Sequence, residues 1–236
     1  MNLLNGTLFQ DLFSKAKQHH QQHQQQWQFT HAMQAFSKIL VDPVDSLDAV
    51  TDLGDSLVRS RAYDLATDYM KSDPDNAAMI QSRYLARSHD LEALLCYPSN
   101  SLGHIYASTM LQNGFKPFFY WHPIESDNRY IEMRLDQTHD IWHIITGFGT
   151  SPVDEIGLQT VYLAQGRHPL AAMLVANGLV GDTLLNPEEL PQMLTAIARG
   201  WNMGINAKSL LAQKWEEGWE KSLEEWRSDL GIEVVG

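Results

Sequence analysis

Thr138-His139-Asp140-Ile141-Trp142-His143, followed by Gly147-Phe148-Gly149-Thr150-Ser151-Pro152 and then Glu155, is the stretch that decides how this chain folds. On an α-helix, residues four apart lie roughly 40° from each other around the axis, so His139 and His143 point the same way. Asp140 sits about 100° from His139 but about 60° from His143, and the three can share one face. The glycines then suit a helix C-cap, Ser151 an N-cap, and Pro152 the first position of a second helix. Asp154, three residues after Ser151, completes a capping-box pattern and puts Glu155 in that helix's first turn. An antiparallel hairpin of the two helices brings Glu155 to the histidine face.

Two imidazoles and two carboxylates make a mixed nitrogen and oxygen donor set. It suits a divalent ion, zinc first, with manganese or iron as alternatives, while magnesium prefers a larger oxygen share. The metal reading competes with a plain solvated helix face, on which two histidines four apart occur by chance. His89-Asp90-Leu91-Glu92-Ala93 is an internal control: a second His-Asp pair with alanine where the second histidine would stand. It reads as a surface or cap feature.

The spacing His139-Asp140-x-x-His143, with eleven residues before Glu155, resembles the signature of the coenzyme Q biosynthesis protein 4 family. Other pieces agree in order. Tyr97-Pro98-Ser99-Asn100-Ser101-Leu102-Gly103-His104-Ile105-Tyr106 is similar to the family's Ser-Leu-Gly-x-x-Tyr stretch. Arg134 stands where the family has a basic residue before the histidine, and Trp215-Glu216 with Leu223, Arg227, Leu230, Gly231 and Ile232 resembles its closing helix. The likeness runs from about residue 80 to 236. It departs at Arg134-Leu135-Asp136-Gln137-Thr138, where the family usually has a second basic residue and an acidic one. It departs again at Ile156-Gly157-Leu158-Gln159, where glutamine stands for the family's lysine.

The resemblance implies an all-α protein of ubiquinone or prenylquinone biosynthesis. Such a protein holds a prenylated head group at a His139/Asp140/His143/Glu155 metal site, as an organiser of biosynthetic enzymes or for oxidative decarboxylation of a prenylated benzoate ring. Arg134 is then the candidate cation for an anionic head group. Leu102 to Phe119 and Leu158 to Val175 are candidates to line a groove for an isoprenoid lipid, against the plain alternative of core. Two other readings compete. One is a non-catalytic carrier or scaffold for a prenyl lipid or prenyl phosphate. The other is a metal-dependent phosphohydrolase of the His-Asp type, whose upstream histidine and distant aspartate this pattern lacks.

With 236 residues, 44% of them hydrophobic, the chain has enough apolar sequence for one helical domain over 1–236, a multi-helix bundle with a metal-binding helix hairpin. Its net charge of -12 disfavours nucleic acid and anionic membrane surfaces as partners. Contact with a membrane would have to be peripheral and apolar. Cys96 is the one cysteine, so no intrachain disulfide forms. Met1-Asn2-Leu3-Leu4-Asn5-Gly6 lacks the blocks of a secretory signal, and Asp11 with few arginines argues against a mitochondrial leader, which makes the cytoplasm the expected location. No stretch reads as a transmembrane helix.

Residues 18–28, with His19, His20 and His23, form a glutamine and histidine tract that reads as a polar helix with frayed ends. Helical periodicity then covers Phe29 to Val41, Ser46 to Ser60, Arg61 to Lys71 and Asn76 to Tyr97, punctuated by proline. The spacing of Leu211, Trp215, Trp219, Leu223, Trp226 and Leu230 predicts one last helix with an aromatic stripe opposite Glu216, Glu217, Glu220, Glu224 and Glu225. That stripe reads as core packing, with a dimer or lipid-docking face as the alternative.

Overall fold

The computed structural model describes residues 26–42, 47–86, 89–117 and 123–234. The described residues are helical, with no strand and one isolated bridge between Ser101 and Ser222. This is the all-α class that the periodicity predicts. The chain divides into two compact units, Met1–Ser60 and Arg61–Gly236. The histidines of the tract at 18–28 lie outside the described residues, as do Phe118 and Phe119.

The first unit holds α1 (26–41) and α2 (Leu47–Leu57). Ala32, Ala35 and Ile39 on α1 and Ala49 and Leu53 on α2 are buried at helical spacing. The second unit carries α3 (Arg61–Met70), α4 (Pro74–Ser82), α5 (Leu91–Leu94), α6 (Leu102–Gln112), α7 (Asp127–Thr146), α8 (Pro152–Gly166), α9 (Pro169–Leu185), α10 (Leu190–Asn206), a 3-10 turn at Trp215–Glu217, and α11 (Leu223–Leu230).

Helix α7 is the axis of this unit. Tyr130, Ile131, Ile141, Trp142 and Ile145 are buried on it, and it packs against α3, α4, α6, α8 and α11. Because burial surrounds it, its sequence shows only a shallow amphipathic pattern. Its start is capped by Ser126, whose hydroxyl accepts the Arg129 N–H, and its end turns at Gly147 with φ 72°. Arg227 of α11 donates to the carbonyls of Ile144 and Ile145, satisfying two acceptors in the helix's last turn.

The closest helix pair is α8 with α10. A Cβ on Gly200 would collide with the Gly157 carbonyl oxygen, and one on Gly204 would lie 2.6 Å from the Ala164 Cβ. Glycine at these positions lets the two backbones touch.

Two expectations are corrected. The periodic segment Asn76 to Tyr97 is not one helix: α4 stops at Arg83, whose φ of 51° is left-handed, and α5 starts anew after the Asp90 cap. The predicted last helix also breaks. Trp215–Glu217 is a 3-10 turn, and α11 begins only after Ser222, which forms a full capping box with Glu225. The segment between them serves the start of α6: Gly103 N–H donates to the Trp219 carbonyl, Leu102 N–H to Lys221, and Leu223 N–H to Asn100. These bonds replace helical ones, so apolar spacing alone misled. The stripe is core nonetheless, with Trp215, Trp219, Trp226, Leu211 and Leu230 buried.

Candidate metal centre

The hairpin between α7 and α8 forms at the predicted positions. The Ser151 hydroxyl accepts the Asp154 N–H and donates to the Asp154 carboxylate, Pro152 is the first helical residue, and Glu155 follows in the first turn.

Three ligand atoms converge across this hairpin. The Nε2 atoms of His139 and His143 are 3.1 Å apart, and Glu155 Oε2 lies 3.1 Å from His143 Nε2 and 3.6 Å from His139 Nε2. Among the described residues, this is the one group of three or more His, Cys, Asp or Glu side chains whose ligand atoms all lie within 4.8 Å of one another. His143 is mostly covered, while His139 and Glu155 remain about a third exposed, so the cluster has a solvent-facing side.

Each side chain is oriented from behind. His143 Nδ1 lies 3.1 Å from the Phe148 carbonyl, a partner that can only accept, so Nδ1 carries a proton and Nε2 is the nitrogen turned to the cluster. His139 Nδ1 lies 3.2 Å from the Tyr162 hydroxyl, and Gln159 Nε2 donates to Glu155 Oε1 at 2.8 Å, leaving Oε2 for the cluster. This is the support usual behind metal-ligating histidines and carboxylates. Tyr162 is held in turn by stacking on Trp142, with ring centroids 4.2 Å apart.

Electrostatics follow from the crowding. Burial works to raise the Glu155 carboxyl, but hydrogen bonds to His139 and His143 outweigh it and hold the group far below the usual carboxylate range. Burial works to lower His139, and the Glu155 hydrogen bond and charge overcome it to raise the imidazole. Burial, then the charges of Glu155 and Asp136, push the Tyr162 phenol well up, so it stays protonated. Asp136, one turn before Asp140, is pushed up to about 7 by burial among its neighbours and by the Glu132 charge.

Asp140 lies beside this cluster and outside it. Arg134 lies elsewhere. It is fully buried and grips Glu216 with both terminal nitrogens, at 2.7 and 2.9 Å, while also donating to the Gln213 carbonyl. Glu216, expected on a solvated face, is thus nearly buried. In the control motif, Asp90 is the N-cap of α5, as read, whereas the His89 side chain is buried against Tyr106 and Trp219. The inward residues of the two proposed groove stretches, among them Leu102, Tyr106, Met110, Leu158 and Val161, are buried.

Tyr162, Gln159 and the Phe148 carbonyl were missed in the sequence. Glu155, Gln159 and Tyr162 stand at i, i+4 and i+7, one face of a helix, and that spacing was the available signal. A second buried network was also missed: the Tyr63 hydroxyl donates to Glu132, and His168 Nε2 lies 3.2 Å from Glu132 and 3.0 Å from Tyr63. It ties α3 and α7 to the start of α9, where His168 is the N-cap.

Comparison with known proteins places these features in a family. The model for the coenzyme Q (ubiquinone) biosynthesis protein Coq4 matches residues 17–236. Ubiquinone biosynthesis protein COQ4, mitochondrial, from Meyerozyma guilliermondii is 26% identical over 218 residues, covering 85% of this chain and 68% of that protein. The Aedes aegypti homologue, also named mitochondrial, is 26% identical over 202 residues, covering 83% of this chain and 72% of its own. A crystal structure of a Nostoc punctiforme protein carrying a provisional ubiquinone-biosynthesis name superposes with a TM-score of 0.79 at 32% identity, covering 87% of this chain and 98% of that one. Among the described residues no helix is long and apolar enough to cross a membrane. The relatives' names place those proteins in mitochondria, and the cytoplasmic expectation for this chain finds no support in them.

Proposed function

Because this chain belongs to the coenzyme Q (ubiquinone) biosynthesis protein Coq4 family, we propose that it binds a divalent metal at His139, His143 and Glu155 and uses that site to hold the head group of a prenylated quinone precursor. The observation that carries the reading is the convergence of two imidazole nitrogens and one carboxylate oxygen, each oriented by a hydrogen bond from behind. The donor set fits zinc best, and iron or manganese next. Asp140, adjacent to His139, is the fourth donor in this proposal.

A divalent ion held there would supply a Lewis acid for a carboxylate or phenolate oxygen of a bound ring. The protein's own part is positional. Phe148, Tyr162 and Gln159 fix which atoms of His143, His139 and Glu155 face the ligand, and the partly exposed side of the cluster admits the head group. The same site serves an organiser that presents a prenylated intermediate to other enzymes and a catalyst of ring decarboxylation.

The test is organic extraction of the purified chain followed by mass spectrometry, before and after metal removal. An isoprenoid species that is released with the metal supports the proposal. A chain that holds metal, yet neither carries nor takes up an isoprenoid, contradicts the lipid half of it.

A further inference from the structure

The dimer expectation rested on the C-terminal tryptophan stripe, which is buried; the exposed apolar surface lies instead on α9 and α10. These two 17-residue helices carry one charged side chain each, Asp182 and Arg199. Large apolar side chains stand outward along them: Leu184 is 69% exposed, Leu185 61%, Ile205 54%, Leu194 52%, Trp201 46% and Val180 39%. The inner face of α10 presses Gly200 and Gly204 onto α8, and a Cβ on Gly178 of α9 would meet Ile156 of α8 and Met193 of α10. With the inner faces of α9 and α10 against α8, and the two helices in contact with each other, their outward faces are left uncovered among the described residues. The six side chains expose roughly 600 Å², the upper end for a monomer's largest apolar patch and close to the ~800 Å² that each partner gives a standard interface.

Charge selects the occupant. At a net charge of -12, two copies repel each other over most of their surface, and an anionic lipid surface repels either copy. The α9–α10 hairpin is nearly neutral, and its ends differ. Glu188 and Glu189 are exposed at the tip between α9 and α10, while Arg167 and Lys208 are exposed at the opposite end. Arg167 is held in place over the Tyr69 ring, 3.8 Å from its centre. Two hairpins laid antiparallel about a two-fold axis put each acidic tip against the other copy's basic end.

We infer that the α9–α10 hairpin is a self-association surface, and that two copies of this chain pair through it face to face in antiparallel orientation. The inference is independent of the metal site.

The experiment is sedimentation equilibrium of the full chain over a wide concentration range. The wild type dimerises, and Trp201→Glu raises the dissociation constant by about 30-fold or more, with an unchanged circular dichroism spectrum. Ile205→Lys is the second variant should the first fail to fold. Glu188→Lys with Glu189→Lys weakens the dimer, and adding Lys208→Glu restores it. A wild type that stays monomeric overturns the inference, as does a dimer that Trp201→Glu leaves intact. A monomer that instead binds neutral phosphatidylcholine vesicles assigns the face to lipid. Failure of Lys208→Glu to restore the dimer overturns the antiparallel arrangement.

Discussion

The Nε2 atoms of His139 and His143 stand 3.1 Å apart on successive turns of α7, with Glu155 of α8 closing the third side. Two imidazoles at that distance cannot both point protons at each other; one must offer a lone pair. The carbonyl of Phe148 accepts a hydrogen bond from His143 Nδ1–H and so turns Nε2 toward His139 and Glu155. A divalent ion would let both nitrogens face inward as lone pairs, with Glu155 the residue to balance its charge.

His143→Ala therefore abolishes stoichiometric metal, whereas Asp140→Ala, outside the three-atom cluster, reduces affinity without abolishing it. Both variants are expected to keep wild-type helical content, since alanine is the residue that best favours a helix interior. Metal analysis after dialysis, paired with circular dichroism, distinguishes the two. Equal loss in both would make Asp140 as strong a ligand as His143.

Tyr162→Phe keeps the ring stacked on Trp142 and removes only the hydroxyl that meets His139 Nδ1. Loss of such an outer partner costs about 10–100-fold in metal affinity. Competition with a chromophoric chelator measures it, and an unchanged affinity would show that Tyr162 does not orient His139.

The hairpin was legible in the sequence because its signals are local: the i, i+4 histidines, the glycine turn, Ser151 and Pro152. The support behind it was not, because a backbone carbonyl such as that of Phe148 has no sequence signature. Arg134 illustrates the same limit. Its charge was visible, but its partner Glu216 lies 82 positions away and looked like one of a solvated row. The C-terminal segment misled for a third reason. The spacing of its tryptophans fits a helix, yet its backbone is spent on the start of α6.

Glu216→Gln leaves Arg134 buried without its counter-charge, at a cost of about 3–5 kcal/mol. The pH dependence has a definite sign. Burial raises the Glu216 carboxyl, but the His89 and Arg134 interactions prevail and bring it from an ordinary 4.5 down to about 2. Its ionised form favours folding, so the stabilisation is fully present above the ordinary value and disappears as pH falls through about 2. Urea unfolding at a series of pH values should show the gap between wild type and variant closing over that window. A gap that persists at the acid end would mean that the ion pair contributes nothing.

Gly200→Ala drives a methyl group into the Gly157 carbonyl, which is backbone and cannot swing away. The expected loss is about 1–3 kcal/mol, as in other overpacked cores. Because α8 also carries Glu155, the strained variant should bind metal more weakly as well as melting earlier. Calorimetry with and without metal reads both effects, and a variant that melts earlier yet binds metal normally would uncouple this helix contact from the site.

Native mass spectrometry of the freshly purified chain beside its His143→Ala variant tests whether this hairpin holds a metal. The expectation is about one divalent ion per wild-type chain, with none on the variant and the same charge-state distribution for both. Wild-type protein that carries no metal and takes none up on addition of zinc, iron or manganese would contradict it, as would a variant that retains the ion.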